Sequence, residues 1–191
     1  MYNVIIAGVG GQGSLLASRI FGNVFLSLGY DVKVSEVHGM SQRGGSVITY
    51  VRAGERVASP LVSDGECDLL LALEELEALR WAHTLKKGGK LVASSQRIAP
   101  MPVITGAASY PTHEQVTAEI EKVTSDYLFL PAEELAEQAG IARASNVALI
   151  GGVSAKLDID EKVWLDALHA TVPQRFLEAN LKAFELGRNY K

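Results

Sequence analysis

The sequence predicts a three-layer α/β domain with a mainly parallel sheet and a helical C-terminal section. Three observations lead there. A short apolar run at 3–8 (NVIIAG) breaks at glycines and passes into a helical pattern. Further short apolar runs alternate with amphipathic stretches as far as residue 139, the pattern of an α/β sheet. From Ala144 onward only helical periodicity remains.

The elements follow in order. Residues 3–8 are a buried strand. Residues 12–29 read as a helix, with Leu16, Ile20 and Val24 at four-residue spacing. Leu15, Phe21 and Phe25 make it apolar on a second face, so it lies between the sheet and another layer or at a subunit contact. Gly29 ends it, and DVKVSE (31–36) is the second strand. This strand–glycine turn–helix–strand order is a Rossmann-like start. A polar loop (38–45) precedes the β-branched, alternating strand 46–54. Residues 55–62 are expected as its hairpin partner, with Ala53-Gly54 at the turn.

A strand at 68–73 and a Glu-rich helix at 74–84 come next, then a turn at Gly88-Gly89 and a strand at 90–94. Pro100, Pro102 and Pro111 make 97–112 an irregular crossing. Thr112 and Gln115 fit a capping box for a helix that shows Val116, Ile120 and Val123 on one face. Residues 126–130 are a strand, and Pro131 opens a helix (132–139) that Gly140 closes. Helices at 145–157, 161–171 and 173–189 complete the chain, the last with Leu177, Leu181 and Phe184 as its stripe. Residues 1–191 are read as one domain, with 143–191 its helical C-terminal section.

Composition excludes several classes of function. At 48% hydrophobic with a net charge of -4, the 191-residue chain is neither disordered nor built to hold nucleic acid. Its single cysteine, Cys67, excludes an internal disulfide and a Cys-rich zinc site, and no iron–sulfur cluster needing about four thiolates can be held by this chain alone. The four histidines are scattered without metal-ligand spacing. Any redox chemistry therefore needs a partner, or a bound organic cofactor, to carry the electrons. The run Val4 to Ala7 is short and has no basic region before it, and the apolar stretches fall short of the roughly 20 residues of a membrane span. A cytoplasmic protein with no membrane contact is expected.

Two constellations could carry chemistry. Gly8, Gly10 and Gly13 fit G-x-G-x-x-G between a strand and a helix, where free backbone N–H groups can receive a phosphate. Glu36, 23 residues beyond Gly13, is where a nicotinamide site would place its ribose-binding carboxylate. The alternative is a tight turn whose glycines only permit close packing. The second constellation is the loop 36–46 (EVHGMSQRGGS), which combines Glu36, His38, Gln42 and Arg43 with Gly39, Gly44 and Gly45. Ligand proximity, a subunit contact and a bland solvated loop all fit it. Asp64, Glu66, Asp68, Glu74, Glu75 and Glu77 read as carboxylates near a helix start rather than as a Mg²⁺ or acid/base site. Cys67 reads as a core thiol, and His83, His113 and His169 need no special role.

The turn GVGGQG, the loop EVHGMSQRGGSV and the later run from Ser59-Pro60 through DLLLALEELEALR occur here in one order. Together with Tyr110-Pro111 and Asn146 they make the chain resemble the gamma-type subunit or domain of 2-oxoacid:ferredoxin oxidoreductases over nearly its whole length. Within that family the stretch 35–45 is most similar to the indolepyruvate branch, beside pyruvate, 2-oxoisovalerate and 2-oxoglutarate branches. The resemblance implies a two-chain enzyme. A larger alpha subunit would bind thiamine diphosphate with Mg and [4Fe-4S] clusters. The complex would convert an arylpyruvate to an acyl-CoA, CO₂ and reduced ferredoxin. The family's thiamine motif is G-D-G followed at a distance by Asn. Here Ser63 precedes Asp64-Gly65, and Ser94 and Ser95 occupy the later window. No cofactor is therefore expected on this chain alone, and no residue stands out as a catalytic nucleophile or base.

The role left is substrate-facing. Gly10, Gly11, Gln12 and Gly13, with Gln42, Arg43 and Gly44, are the expected contacts, either to a phosphate of coenzyme A or to the partner interface. Arg43 would supply a charge-assisted contact and Gln42 a supporting one. Two other readings stay open: a stand-alone NAD(P)-binding dehydrogenase, and a non-enzymatic assembly module. A homodimer of the isolated chain, formed through the face meant for its partner, is also open.

Overall fold

The structure, a computed structural model, describes residues 1–39 and 44–191. Its strands are β1 (Tyr2–Val9), β2 (Asp31–His38), β3 (Ser46–Gly54), β4 (Cys67–Ala72), β5 (Leu85–Ser94) and β6 (Tyr127–Leu130). They form one sheet in the order β2-β3-β1-β4-β5-β6. The pairings β1–β4, β4–β5 and β5–β6 are parallel, and those of β3 with β1 and β2 are antiparallel. The sheet is thus mixed and mostly parallel, on the expected α/β plan.

Alternation along β1 sorts the two outer layers. Val4 and Ile6 join one apolar cluster, and Ile5 and Ala7 join the other. The first cluster is closed by α1 (Ser14–Ser27), α5 (Ala132–Gln138), α6 (Ser145–Lys156), α7 (Glu161–Thr171) and α8 (Gln174–Arg188). The second is covered by α2 (Glu75–Trp81) and α4 (His113–Glu121). α1 is apolar on two faces: Phe21 meets the C-terminal helices, and Phe25 stacks on Tyr2 of β1 with ring centroids 4.9 Å apart. Phe21 packs edge-on against Trp164 of α7, with ring centroids 5.5 Å apart.

The C-terminal helices approach unusually closely. A Cβ on Gly151 of α6 would fall 2.1 Å from the Phe184 carbonyl oxygen of α8. One on Gly187 of α8 would fall 1.8 Å from the Ala148 carbonyl oxygen of α6. Only glycine at both positions admits this crossing.

Four expectations differ from the structure. Residues 55–62 form no strand and β3 has no hairpin partner there; β1 and β2 flank it instead. The Arg52 guanidinium binds the carbonyls of Ser59 and Leu61, and the Asp31 carboxylate accepts the Val57 N–H, so side chains replace a ladder. Gly88-Gly89 lies within β5, at a register shift against Cys67 and Leu69, because a side chain at 89 would strike the Cys67 carbonyl. The crossing 97–112 contains a short helix, α3 (Met101–Ile104). Val123 is exposed, beyond the C-terminus of α4, while Val116 and Ile120 are buried as expected.

Candidate functional site

The chain leaves β1 in one direction to build β2 and β3, while the parallel strands run the other way from β4. The switch between β1 and β4 is where doubly wound sheets open a crevice at the carboxyl ends of their strands. Gln12 fills that crevice. Its Oε1 accepts the Val9 N–H at 2.7 Å, and its Nε2 donates to the Leu73 carbonyl at 2.8 Å and to Gln96 Oε1 at 2.6 Å. One side chain therefore ties the loops after β1, β4 and β5 together.

The turn itself is held from two more sides. Gly13 caps α1 with φ +86° and no side-chain hydrogen bond. Its carbonyl accepts the Leu16 and Ala17 N–H groups and the Asn146 side-chain amide from α6. Gly10 donates its N–H to Gly45 and accepts from the Gly44 N–H, which straps the end of the 36–46 loop onto the turn. The Gly10 amide and the Gln12 side chain are thus engaged within the protein. Of the first-turn amides of α1, Leu16 is already bonded to the Gly13 carbonyl, and those of Ser14 and Leu15 remain available to an anion.

Beside the turn lies a cleft of about 460 Å³, walled by Gly10, Gly11, Gly13, Ser14, Leu15, Glu36, His38 and Val47. Glu36 Oε2 accepts the Ser14 and Thr49 hydroxyls, each at 3.2 Å. The structure therefore brings Gly10, Gly11, Gly13 and Glu36 around one space. Gln42 and Arg43 lie outside the described residues. The cleft combines amide donors on one wall with a carboxylate on the other, so it suits a ligand bearing both an anionic group and hydroxyls.

A second polar cluster escaped the sequence reading. Glu74, Glu75 and Glu77, read as helix-start carboxylates, are 1%, 1% and 2% exposed. Glu74 caps α2 through the Glu77 N–H, accepts the Ile98 N–H at 2.9 Å and accepts the Tyr110 hydroxyl. Burial and then the Glu74 carboxylate push the Tyr110 hydroxyl well above the usual phenol range. Glu75 meets Arg97 Nε at 3.2 Å and His113 Nδ1. Glu77 accepts the Ser46 hydroxyl at 2.6 Å and pairs with Arg80 at 2.8 Å. These carboxylates clamp the loops after β4 and β5 and the start of β3. The only signal for it was an acidic run placed directly after the apolar stretch Leu69–Leu73.

The one thiol of the chain lies in neither cluster. Cys67 is buried, and burial pushes its thiol up to about 12. Among the described residues, no group of His, Cys, Asp and Glu could hold a metal ion. None of their helices is long and apolar enough to cross a membrane.

A glycine turn at the head of a mostly parallel sheet, strapped by its neighbouring loop and backed by helices, defines a doubly wound α/β domain with a ligand-sized cleft at its switch point. The model of the pyruvate ferredoxin/flavodoxin oxidoreductase family matches residues 3–190, and the chain belongs to that family. It is 42% identical over 189 residues to the indolepyruvate oxidoreductase subunit IorB of Thermococcus kodakarensis, covering 97% of this chain and 94% of that one. The gamma subunit of a keto/oxoacid ferredoxin oxidoreductase from Geobacter sulfurreducens has the same fold, with a TM-score of 0.71 at 23% identity over 98% and 96% of the two chains. The 2-oxoglutarate:ferredoxin oxidoreductase of Magnetococcus marinus, solved with 2-oxoglutarate, coenzyme A and succinyl-CoA, aligns with 98% of this chain over only 30% of its own, with a TM-score of 0.69 at 18% identity.

Proposed function

We propose that this chain is the subunit without redox cofactors of an arylpyruvate:ferredoxin oxidoreductase, with indolepyruvate as the leading substrate. The observation that carries the reading is the 42% identity with an indolepyruvate oxidoreductase subunit over nearly the whole of both chains. The products are an acyl-CoA, CO₂ and reduced ferredoxin, and the complex resides in the cytoplasm.

The residues of this chain do not fit the redox groups. Its one thiol is buried and strongly held in the protonated state, whereas a cluster needs about four thiolates. Thiamine diphosphate, Mg and the [4Fe-4S] clusters are accordingly assigned to a larger partner subunit, and the chemical steps belong there. Ferredoxin meets the complex as electron acceptor.

The task of this chain is to bind and orient. Gly11 and Gly13 direct amides at a phosphate of coenzyme A, while Gly10, Gln12 and Gly44 keep the turn in the receiving shape. Arg43 adds charge and Gln42 a polar contact. Glu36 keeps phosphate away from the far wall and accepts hydroxyls there. Replacing Arg43 by Ala in the assembled complex is expected to raise KM for coenzyme A about tenfold, the worth of a charge-assisted hydrogen bond, with KM for arylpyruvate unchanged. If both constants stayed the same, Arg43 would be removed from the site.

The placement of Glu36 in the glycine cleft favours one second reading, a nicotinamide dinucleotide site. Titrating the purified chain with NAD(H) and with coenzyme A separates the two.

A further inference from the structure

A second concavity, of about 420 Å³, shares no lining residue with the glycine cleft. Leu16, Ile141, Val172, Pro173 and Phe176 supply its apolar walls, and Arg143 stands at its edge. Phe176, 38% exposed, is one of the few large apolar side chains that α8 leaves uncovered. Its ring carries the Arg175 guanidinium, 4.6 Å from the centroid. Neither Arg143 nor Arg175 has an acidic partner within salt-bridge distance among the described residues. The first turn of α8 holds no acid either, and Pro173 caps it without a side-chain hydrogen bond. One cation, Arg143, thus lines an apolar hollow of the size that takes a small ligand, and a second, Arg175, lies on the ring of its Phe176 wall.

We propose that this pocket binds a small amphipathic monocarboxylate, with an aromatic or branched alkyl body against Phe176 and Leu16 and its carboxylate at Arg143. The charge arrangement selects the class. An uncharged apolar molecule would leave Arg143 without an anion, and a polyanion would leave the apolar walls wet. The site is separate from the coenzyme A reading, because none of its lining residues lines the glycine cleft. It nevertheless communicates with the glycine turn. Arg143 sits in the 3₁₀ turn Ala142–Ala144 that leads into α6, and α6 carries Asn146, which holds the Gly13 carbonyl. A carboxylate that fixes this turn also fixes the support of the glycine turn.

The test is titration of the full-length chain, isotopically labelled, with phenylacetate and separately with its neutral isostere phenylacetamide, followed by backbone amide resonances. Phenylacetate is expected to shift the amides of Ile141–Ala144 and Arg175–Leu177 saturably. Phenylacetamide is expected to bind about tenfold more weakly, because it lacks the charge that Arg143 reads. Arg143→Gln, at an exposed position, is expected to cost the acid about tenfold and to leave the amide unchanged. Phe176→Ala is expected to weaken both. Equal affinity of acid and amide overturns the proposal, as does a response confined to the glycine cleft. If neither probe moves these amides while the assembled enzyme protects Phe176, the hollow is a protein contact and the proposal fails.

Discussion

The side-chain amide of Asn146 reaches 133 residues back along the sequence to bond the Gly13 carbonyl at 3.1 Å. This single contact seats the glycine turn on the C-terminal helical section. It also explains why Gly13 tolerates no side chain: a Cβ there would lie 2.4 Å from the Asn146 nitrogen, in a backbone conformation with φ +86°.

Gly13→Ala should therefore destabilise the chain by about 2–3 kcal/mol, combining the left-handed backbone penalty with the displaced Asn146. Asn146→Ala removes the obstruction, so the double variant should lose less than the sum of the two single losses. Urea denaturation of the four proteins measures the coupling. Strict additivity would mean that the two residues are independent.

The Glu74–Tyr110 pair should behave as a buried unit. Tyr110→Phe removes the hydroxyl from Glu74 and from the Leu76 N–H, which donates to it at 3.0 Å. A loss of about 1–3 kcal/mol is expected, since both partners are left short of a hydrogen bond. Glu74→Gln should cost a similar amount, and the pair should show positive coupling in a double-mutant cycle. Losses within about 0.5 kcal/mol, as at an ordinary surface site, would contradict the buried placement of Glu74.

Two glycine substitutions should move in opposite directions. Gly187→Ala forces the α6–α8 crossing apart and should cost more than about 3 kcal/mol, or prevent folding. Gly22→Ala, in the middle of α1 with nothing within 4 Å of the added methyl, should stabilise by about 0.5–1 kcal/mol. Thermal melts of the two variants give the comparison directly.

Acid should weaken the fold partly through Asp126. Burial raises its carboxyl, but hydrogen bonds and charge from Lys156 and Lys90 outweigh that and hold it below the usual range near about 4. The unfolded chain therefore binds this proton more readily. The stabilisation is present above the ordinary carboxylate pKa and is lost as pH falls through the lowered one. Glu133 runs the other way: burial raises its pKa, so its contribution is full at low pH and lost as pH rises through the raised value. Stability measured from pH 3 to 7 should fall less steeply toward acid in Asp126→Asn and more steeply in Glu133→Gln. An unchanged profile in both would refute these assignments.

Much of the architecture was legible from the sequence because periodicity reports burial. The strand–turn–helix start, the capping box at Thr112 and the helix 161–171 all carry local signals, and all stand in the structure. The fate of 55–62 was not legible, because it turns on the distant Arg52 and Asp31 supplying hydrogen bonds that a hairpin would otherwise make. Nor did the position of β3 between β1 and β2 leave any trace in spacing. The glycine turn was visible as a candidate site, but the inward direction of the Gln12 side chain was not, since polarity alone does not separate a ligand contact from an internal tie. The buried Glu74, Glu75 and Glu77 show the same limit: their partners Tyr110, Arg97, His113 and Ser46 come from three other segments.

Anaerobic turnover settles the central claim. Arylpyruvate, coenzyme A and oxidised ferredoxin are supplied to this chain alone, to the larger partner alone, and to the co-purified pair, and reduced ferredoxin and acyl-CoA are measured together. Stoichiometric formation of both products by the pair, with none from this chain alone, is the result predicted. Turnover by this chain in the absence of any other polypeptide would contradict it.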